Sequence, residues 1–337
     1  MDKTVTPLVK VTVVMPAYDA EKYIKQAIES ILNQTFKDFV FLIINDGSTD
    51  QTEKIILSYA DKRINYVKNE KNIGLIATLN YAISITDTEY MVRMDADDIS
   101  LPDRIDRQID FMQRNESVWV CGSQVEYFGQ SQKISAFPET HDSIKAQLLF
   151  ENCIAHPSVI MRLNHIKKYQ LFYSPDFINI EDYDLWLRIA MIGQLANINT
   201  PLLKYRLEGQ NITIRNWQTR EKRLKLVYQN LLQELGVDVT EENLKLHIEL
   251  SGNSETICGI KKLRLYTESL IANNKAKKIY SAYSLSLILQ QLWKQLFFKV
   301  AHNGFFETIT YWRYTKTFSF VQLRYLIGIY KMSLKAK

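Results

Sequence analysis

Short apolar runs alternate with amphipathic segments through the N-terminal third of the chain. The runs are rich in β-branched residues, which is typical of buried strands, and the segments between them carry apolar residues at helical spacing. Strands are predicted at Val11–Met15, Phe39–Ile44, Ile64–Val67 and Tyr90–Met94, with helices at Ala20–Leu32, after Asp50 to Tyr59, and after Gly74 to about Ile85. Because strands that alternate with helices form βαβ units, the pattern predicts a mainly parallel, Rossmann-like α/β sheet flanked by helices.

The alternation becomes less regular after Asp98, and the chain reads as helical from about Asn211 to its end. Further strands are predicted at Val118–Cys121, Gln124–Phe128, Ser158–Met161 and Leu202–Leu207, and helices at Pro102–Asn115, Ser143–Phe150 and Ile180–Ile192. The later helices are predicted at Trp217–Leu235, Asn243–Leu250, Lys261–Ile271 and Ala276–Val300. We therefore expect two domains, a sheet domain of residues 1–210 and a helical domain of residues 211–337.

Composition agrees with a globular protein that buries a substantial core. The 337 residues are 46% hydrophobic and 23% charged, and the three cysteines lie far apart without a metal-binding or disulfide spacing. The first ten residues lack the apolar core of a signal peptide, and no run of about 18 apolar residues occurs. The sequence therefore predicts a cytoplasmic protein with reduced core thiols.

Charge is distributed unevenly along the chain. Residues 1–200 carry 20 Lys and Arg against 27 Asp and Glu, a net charge of −7, whereas residues 201–337 carry 22 against 10, a net charge of +12. From Ile271 onward aromatic residues are interleaved with Lys and Arg. This pattern indicates either peripheral binding to an anionic membrane surface or a helical module for homo-oligomerisation or acceptor docking. No recognition motif for nucleic acid accompanies the charge.

Three carboxylates follow the fourth strand directly, in Asp95-Ala96-Asp97-Asp98. In open α/β sheets, ligands bind beyond the carboxyl ends of the strands. Carboxylates this close repel one another, and a hard cation such as Mg²⁺ or Mn²⁺ would relieve that repulsion. The segment predicts a metal site that faces an anionic ligand. The alternative is a polar loop in which Asp98 or Ser100 caps the next helix.

Two other strand ends carry polar candidates, Pro16-Ala17-Tyr18 and Asn45-Asp46-Gly47. Asp46 is placed to accept an N–H group, such as that of a pyrimidine base, and Gly47 permits the backbone geometry needed there. Asn72 and Gly74 either line the same rim or form a helix cap and turn. Arg93, a charged residue inside a buried strand, is predicted to pair with a carboxylate of the cluster.

Five motifs occur in an order that resembles that of the family 2 glycosyltransferases, which have the GT-A fold. They are Pro16-Ala17-Tyr18-Asp19, Asn45-Asp46-Gly47-Ser48-Thr49-Asp50, Asn72-x-Gly74-Leu75, Arg93-x-Asp95-Ala96-Asp97-Asp98 and Glu181-Asp182-x-x-Leu185-Trp186-x-Arg188, within about residues 10–207. The resemblance implies a metal-dependent inverting transfer of a hexosyl or N-acetylhexosaminyl group from a nucleotide-sugar, usually a UDP-sugar. It also implies a saccharide or polyprenyl-linked saccharide acceptor in bacterial surface polysaccharide biosynthesis, at the inner face of the cell membrane.

The resemblance also implies roles for individual residues. Pro16, Ala17 and Tyr18 would flank the uracil and Asp46 would bind it. Asp95 would hold the ribose or the edge of the metal site, and Asp97 would coordinate the Mn²⁺ or Mg²⁺ ion that bridges the diphosphate. Asp182 would be the general base, and Glu181 would orient or bind acceptor hydroxyls. The remaining members of the implied donor site are Asp19, Asn72, Gly74, Arg93 and Ala96.

Two aromatic residues have competing interpretations. Trp186 lies one helical turn after Asp182, where it would stack on an acceptor sugar or belong to an ordinary core stripe with Leu185. His156 would approach the diphosphate and its metal, or serve as a structural histidine.

Two other functions compete with the transferase interpretation. A sugar-phosphate nucleotidyltransferase would need a glycine-rich basic loop, which Pro16-Ala17-Tyr18-Asp19 is not. The interpretation as a catalytically inactive scaffold is disfavoured by four intact carboxylates, those of Asp46, Asp95, Asp97 and Asp182.

Overall fold

The computed structural model describes residues 10–208, 217–252, 259–302, 305–315 and 319–335. The chain divides into two units, the first formed by Met1–Leu148 and Asn152–Arg223 and the second by Leu149–Glu151 and Leu224–Lys337. The predicted domain boundary near residue 210 falls outside the described residues.

One sheet organises the first unit. Its strands are β1 (Val11–Ala17), β2 (Phe39–Asn45), β3 (Ile64–Lys68), β4 (Tyr90–Arg93), β5 (Ile99–Ser100), β6 (Val118–Gly129), β7 (Lys133–Ile134), β8 (Ile160–Arg162) and β9 (Gln194–Leu207). The helices are α1 (Ile24–Leu32), α2 (Thr52–Leu57), α3 (Leu75–Ile85), α4 (Arg104–Arg114), α5 (His141–Gln147), α6 (Leu163–Lys168) and α7 (Glu181–Ile192).

The strand order reverses at β1. Along the sheet the order is β3-β2-β1-β4-β8-β6-β9-β5, with β7 paired to β6. Strands β3, β2, β1 and β4 are parallel, β8 is antiparallel to both of its neighbours, and β6 runs parallel to β9. This mainly parallel sheet confirms the predicted fold class. Ligands bind at such a reversal, so the topology singles out the rim at the ends of β1, β2 and β4.

The core of the first unit lies around β1. All seven residues of β1 are buried, as expected for a strand that is covered on both faces. The apolar stripe of α1, with Ile24, Ile28 and Ile31, belongs to the same buried cluster as Val13 and Met15 of β1. The 3-4 spacing that predicted α1 from the sequence is therefore the spacing of a face buried in this core.

Several elements differ from the predicted ones. The predicted strands at residues 118–121 and 124–128 are one continuous strand, β6, and β9 begins at Gln194 and not at Leu202. Asn197 interrupts the apolar pattern of β9, yet it is buried, because its side-chain amide donates to the carbonyl oxygens of Pro138 and Cys153. Strands β5 and β7 have two residues each, which is too short for any periodicity to show.

The second unit is helical. Its helices are α8 (Trp217–Leu235, whose first residues belong to the first unit), α9 (Glu241–Leu250), α10 (Ile260–Lys277), α11 (Ala282–His302), α12 (Phe305–Thr315) and α13 (Phe320–Lys335). Buried His247 of α9 bonds the Tyr266 hydroxyl at 2.9 Å and packs against the Tyr228 ring. None of the described helices has the length and apolarity needed to span a membrane.

Candidate functional site

The last residue of β4 is a buried arginine that holds the first carboxylate of the acidic cluster. Arg93 is 2% exposed, and its Nη1 and Nη2 atoms donate to the two carboxylate oxygens of Asp95 at 2.6 and 2.5 Å. A guanidinium matches a carboxylate in this two-pronged geometry. The predicted pairing of Arg93 with the cluster is confirmed.

Asp95, Asp97 and Asp98 converge beyond the end of β4. Each offers a carboxylate oxygen, and these oxygens lie within 4.8 Å of one another. Burial and the charge of Asp95 raise the pKa of Asp97 to about 6, and burial with both neighbouring carboxylates raises the pKa of Asp98 well above its ordinary value. Among the described residues, Oδ2 of Asp98 is buried without a hydrogen-bond partner. Three carboxylates this close, only one of them in an ion pair with Arg93, fit a hard divalent cation.

Asp98 and Ser100 do not cap the helix that follows them, so this part of the polar-loop alternative is wrong. The helix α4 begins at Arg104, after its N-cap residue Asp103. Strand β5, which contains Ser100, intervenes because it pairs with β9. Oδ1 of Asp98 instead accepts the backbone N–H of Arg206 in β9 at 2.8 Å.

Asp46, at the end of β2, anchors a neighbouring loop. Its carboxylate accepts hydrogen bonds from Asn69 Nδ2 at 2.7 Å and from the backbone N–H groups of Ile73 at 3.0 Å and Gly74 at 2.9 Å. The side chain is 4% exposed. The structure thus shows a positioning role for Asp46 just before α3, and its contact with a base stays a prediction.

Gly47 allows two loops to approach each other closely. Its φ angle is +70°, a conformation that disfavours other residues. A Cβ atom here would lie 2.5 Å from the carbonyl carbon of Lys71 and 2.6 Å from the nitrogen of Asn72. The backbone freedom predicted for Gly47 is confirmed, and the close approach adds a second reason for a glycine.

The motif that follows β1 is tied to the motif that follows β2. The backbone N–H of Asp46 donates to the Ala17 carbonyl at 2.8 Å, and Oδ1 of Asp19 accepts the Thr49 N–H at 2.8 Å. Beside these bonds Tyr18 is 50% exposed. Pro16 is buried within β1, and Asn72 is exposed just before Gly74, the N-cap of α3. These contacts join the ends of β1 and β2, and the donor-site role of their residues stays a prediction.

The second acidic pair opens α7. Oδ2 of Asp182 accepts Nδ2 of Asn152 at 2.7 Å, and Oδ1 accepts the N–H of Tyr183 at 2.8 Å. Glu181 is 7% exposed, and its Oε2 atom has no hydrogen-bond partner among the described residues. Burial and the charge of Asp182 raise the pKa of Glu181 to about 7.

One buried guanidinium acts on both acidic groups. Besides its ion pair with Asp95, the positive charge of Arg93 lowers the pKa of Glu181 and Asp182 against the stronger effect of burial, which raises both. The carboxylates at the end of β4 and at the start of α7 therefore share one electrostatic environment, although about ninety residues separate them along the chain.

His156 and Trp186 are both buried, and their rings lie 6.0 Å apart. Nε2 of His156 bonds the hydroxyl of Tyr173 at 2.9 Å, and burial with the charge of Arg93 holds the pKa of His156 well below its usual range. The carboxylate group within 4.8 Å does not include His156, and its metal-binding role stays a prediction. Trp186 is fully buried, so the prediction that it stacks on an acceptor sugar is wrong, and its core interpretation holds.

The structure adds residues that no motif indicated. Asn152 contacts Asp182 as described, and fully buried Arg104 donates to the carbonyl oxygen of Arg93 at 2.7 Å. Arg206 contacts the acidic cluster from β9. Arg206, like Arg93, is a charged residue within an apolar segment, and this pattern could have identified it from the sequence. The sequence contains no comparable signal for Asn152.

Several known proteins are similar to this chain in sequence. The model of the family described as "Glycosyl transferase family 2" matches residues 12–181. An uncharacterized glycosyltransferase of Haemophilus influenzae is 34% identical over 246 residues, covering 68% of this chain and 76% of that protein. The O-antigen biosynthesis glycosyltransferase WbnJ of Escherichia coli is 35% identical over 213 residues, which cover 60% and 81% of the two chains.

Another E. coli relative is WfgD, named a UDP-Glc:alpha-D-GlcNAc-diphosphoundecaprenol beta-1,3-glucosyltransferase. It is 29% identical over 206 residues, which cover 60% of this chain and 79% of WfgD.

Solved structures share the fold at low sequence identity. S. aureus TarS residues 1–349, in complex with UDP-GlcNAc, superposes with a TM-score of 0.59 at 17% identity and covers 90% of this chain and 89% of its own. The mannosyltransferase PcManGT of Pyrobaculum calidifontis, in complex with GDP-Man and Mn²⁺, superposes with a TM-score of 0.53 at 14% identity, covering 97% and 88%. At these identities the likeness concerns the fold.

Proposed function

This chain is a glycosyltransferase of family 2, and we propose that it transfers a hexosyl or N-acetylhexosaminyl group from a UDP-sugar to a saccharide acceptor with inversion at the sugar carbon. One observation carries the proposal. Buried Arg93 forms a two-pronged ion pair with Asp95 and also acts electrostatically on Glu181 and Asp182. A donor diphosphate site and an acceptor base would therefore both be influenced by the charge of the same guanidinium.

In the proposed donor site, Asp97 and Asp95 would hold a Mn²⁺ or Mg²⁺ ion, and Asp98 is well placed to assist them. A bound ion supplies positive charge to a diphosphate leaving group as its negative charge develops. Tyr18, half exposed at the end of β1, would contact the uracil face. Asp46 would either bind the base or shape its pocket through the loop before α3.

On the acceptor side, Asp182 would serve as the general base. As the acceptor oxygen bonds to the sugar carbon and the bond to the diphosphate breaks, an Asp182 oxygen takes the hydroxyl proton and UDP leaves on the opposite face. Inversion needs one such carboxylate. Asn152 and the N–H of Tyr183 orient it, while the elevated pKa strengthens it as a base. Glu181 would bind a neighbouring acceptor hydroxyl.

The relatives suggest the class of acceptor. The names of WbnJ and WfgD refer to O-antigen biosynthesis and to a diphosphoundecaprenol-linked sugar. By analogy, the acceptor here would be a polyprenyl-linked saccharide used for a surface polysaccharide. Such an acceptor resides in a membrane, and α13 of the basic second unit exposes Phe320 by 84% and Val321 by 68%. These observations support peripheral attachment to the inner face of the cell membrane.

A nucleotide-sugar screen tests the proposal. Purified protein is incubated with UDP-, GDP- and dTDP-sugars with Mn²⁺ or with EDTA, and the released nucleotide is identified. We expect a UDP-sugar to stabilise the protein against heat and to yield UDP in a Mn²⁺-dependent reaction. Release of pyrophosphate from UTP and a sugar phosphate would instead identify a nucleotidyltransferase.

Substitution of Asp97 tests the metal site. Asp97→Asn should lower turnover at least about 100-fold, because the lost charge contributes several kcal/mol to holding the ion. Asp103→Asn is the matched control, since Asp103 forms an ion pair with Arg107 on the surface of α4. Full activity of Asp97→Asn, or no binding of any nucleotide-sugar, would contradict the proposed function.

A further inference from the structure

Arg206, near the end of β9, holds the turn that carries Asp97 and Asp98. Its Nε atom donates to the backbone carbonyl oxygen of Asp97 at 2.7 Å, and its own backbone N–H donates to Oδ1 of Asp98 at 2.8 Å. Two consecutive residues of the acidic cluster are thus bound by one residue of another strand. The second contact occupies Oδ1 of Asp98 and leaves Oδ2 as the atom without a partner.

The Arg206 side chain is itself held by contacts with two aromatic rings and a glutamine. Its guanidinium carbon lies 4.1 Å from the ring centroid of Tyr23 and 4.4 Å from that of Phe128. Nη2 donates to the side-chain oxygen of Gln26 at 3.0 Å. A planar cation that contacts two rings has little freedom, and each ring adds a favourable electrostatic contact. Arg206 therefore ties the acidic turn to α1 and β6 with fixed geometry.

The contacts of Arg206 restrain carboxylates that would otherwise move apart. The three carboxylates repel one another, and without a restraint the turn between β4 and β5 would relieve the repulsion by moving them apart. Arg93 restrains Asp95 through its side chain. For Asp97 and Asp98 the corresponding restraint comes from Arg206. Partners that orient ligand residues in this way typically change metal affinity when they are removed.

We propose that Arg206 is a positioning residue that sets the affinity of the acidic cluster for its divalent cation. The inference rests on the proposed function, in which Asp95 and Asp97 hold Mn²⁺ or Mg²⁺. It goes beyond that function by assigning to a residue outside the five motifs the preorganisation of the cation site. In this role Arg206 would act on the ion through Asp97 and Asp98, which it contacts.

The test measures Mn²⁺ binding directly. Free Mn²⁺ is followed by electron paramagnetic resonance during titration of the full chain with saturating UDP, and UDP binding is measured separately in EDTA. We expect Arg206→Lys to weaken Mn²⁺ binding by about tenfold and Arg206→Ala by up to about 100-fold. Lysine keeps the charge but lacks the planar fork. Affinity for UDP in EDTA should change less than about twofold, since Arg206 acts on the cation site.

Two further variants complete the experiment. Lys204→Ala is the matched control, because Lys204 is also on β9 and its ion pair with Glu126, at 3.7 Å, is half exposed. It should leave Mn²⁺ affinity unchanged. Phe128→Leu removes one ring from the Arg206 guanidinium and should weaken Mn²⁺ binding in the same direction. This variant keeps the inference testable if Arg206→Ala does not fold.

The outcomes separate the two proposals. Unchanged Mn²⁺ affinity in Arg206→Lys and Phe128→Leu, with normal binding by the wild type, would overturn the role of Arg206 alone. The role of Arg206 would also be overturned if the Arg206 variants lowered the melting temperature and weakened metal-free UDP binding as strongly as they weakened Mn²⁺ binding. Such a result would indicate general structural damage. A wild-type chain that binds neither UDP nor Mn²⁺ would overturn the proposed function, and the role of Arg206 with it.

Discussion

At the scale of single residues, the site is organised by buried charge. Arg93 is fully desolvated, and an arginine in that position must be compensated by carboxylates, because a buried charge left unpaired costs several kcal/mol. Both oxygens of Asp95 accept from Arg93, which leaves Asp97 and Asp98 with more free acceptor capacity for a cation. This ion pair therefore distinguishes Asp95 from the other two carboxylates of the acidic cluster.

Asn152 offers a test of Asp182 as the base. Its hydrogen bond favours the ionised carboxylate, so Asn152→Ala should raise the pKa of Asp182 further and move the acidic limb of the kcat profile to higher pH. The loss of a hydrogen bond to a charged group should also lower kcat by about tenfold. KM for the donor should stay unchanged. The measurement is the pH dependence of kcat.

The control for Asn152 is Asn164→Ala. Asn164 is exposed and bonds only its neighbour His165 among the described contacts. The pH dependence of kcat for Asn164→Ala should coincide with that of the wild type. If the acidic limb of Asn152→Ala also coincides with the wild-type limb, Asn152 does not act through Asp182.

The raised pKa of Glu181 predicts that the stability of the folded chain depends on pH. Its pKa rises from an ordinary 4.5 to about 7 in the folded chain, so folding opposes its ionisation. The resulting penalty is absent below pH 4.5, grows between the two values and is complete above pH 7. Glu181→Gln should therefore increase the free energy of unfolding by on the order of 2 kcal/mol at pH 8 and far less at pH 5. Melting temperatures at the two pH values provide the measurement.

Glu116→Gln, on an exposed surface position, should show no such difference between the two pH values. Apart from Asp182, whose charge contributes to the raised pKa of Glu181, the other titratable groups are the same in each variant and in the wild type and therefore cancel. A Glu181→Gln variant that is equally stabilised or destabilised at both pH values would show that burial of Glu181 is not the cause.

At the scale of elements, the rim depends on loops that are bound to one another. Asp46 fastens residues 69–74 to the end of β2, and Gly47 lets the two loops come within contact distance. Asp19 joins the end of β1 to the same assembly through Thr49. Loops that are held in this way present a preformed surface to a ligand, which reduces the entropy lost on binding.

Gly47→Ala tests this loop packing. Gly47 combines a positive φ angle with backbone atoms 2.5 Å from a would-be Cβ, whereas Gly252 has a φ angle of +81° and open space around it. Gly252→Ala should lose only the conformational energy, about 1 kcal/mol. Gly47→Ala should lose about 3 kcal/mol, because the loops must also separate. Melting temperature and UDP affinity are measured for both variants.

UDP affinity should fall for Gly47→Ala and stay constant for Gly252→Ala, which lies in the second unit. Equal destabilisation of the two variants, with unchanged UDP affinity, would show that the close approach of the loops does not matter for binding.

Also at this scale, the sequence predicted uninterrupted apolar strands and amphipathic helices better than two-residue strands and strands with polar interruptions. Strands β1 to β4 and helix α7 lie within a few residues of their predicted positions, since burial of a whole face repeats its signal several times. Strands β5 and β7 have no repeat to detect. The start of β9 was missed because polar residues interrupt its apolar pattern; buried Asn197, for example, donates to the backbone carbonyl oxygens of Pro138 and Cys153, which are distant in sequence.

At the scale of the whole molecule, charge separates the two halves of the chain. The acidic half contains the proposed site, and residues 201–337 carry a net charge of +12. Exposed basic residues occur in the last three helices, at Lys294, Arg313 and Arg324. Together with exposed Phe320 and Val321, they are suited to an anionic lipid surface.

Flotation with vesicles tests the membrane proposal. The full chain should float with phosphatidylglycerol vesicles and not with phosphatidylcholine vesicles. The combined variant Lys294→Glu, Arg313→Glu and Arg324→Glu should lose at least about 3 kcal/mol of binding, at about 1 kcal/mol for each basic residue. A control variant reverses three exposed basic residues of the first unit, Lys54, Lys62 and Arg114. Equal flotation of both variants would contradict attachment through the last helices.

The sequence by itself determined the parallel sheet, the acidic strand end and the family, because each depends on short motifs or local patterns of neighbouring residues. Only the tertiary structure decided that Trp186 is buried, that Asn152 orients Asp182 and that Arg206 holds the acidic turn. The last two contacts join residues 30 and 109 positions apart. Local patterns carry no information on such partners, because periodicity indicates which face of an element is buried and not what meets that face.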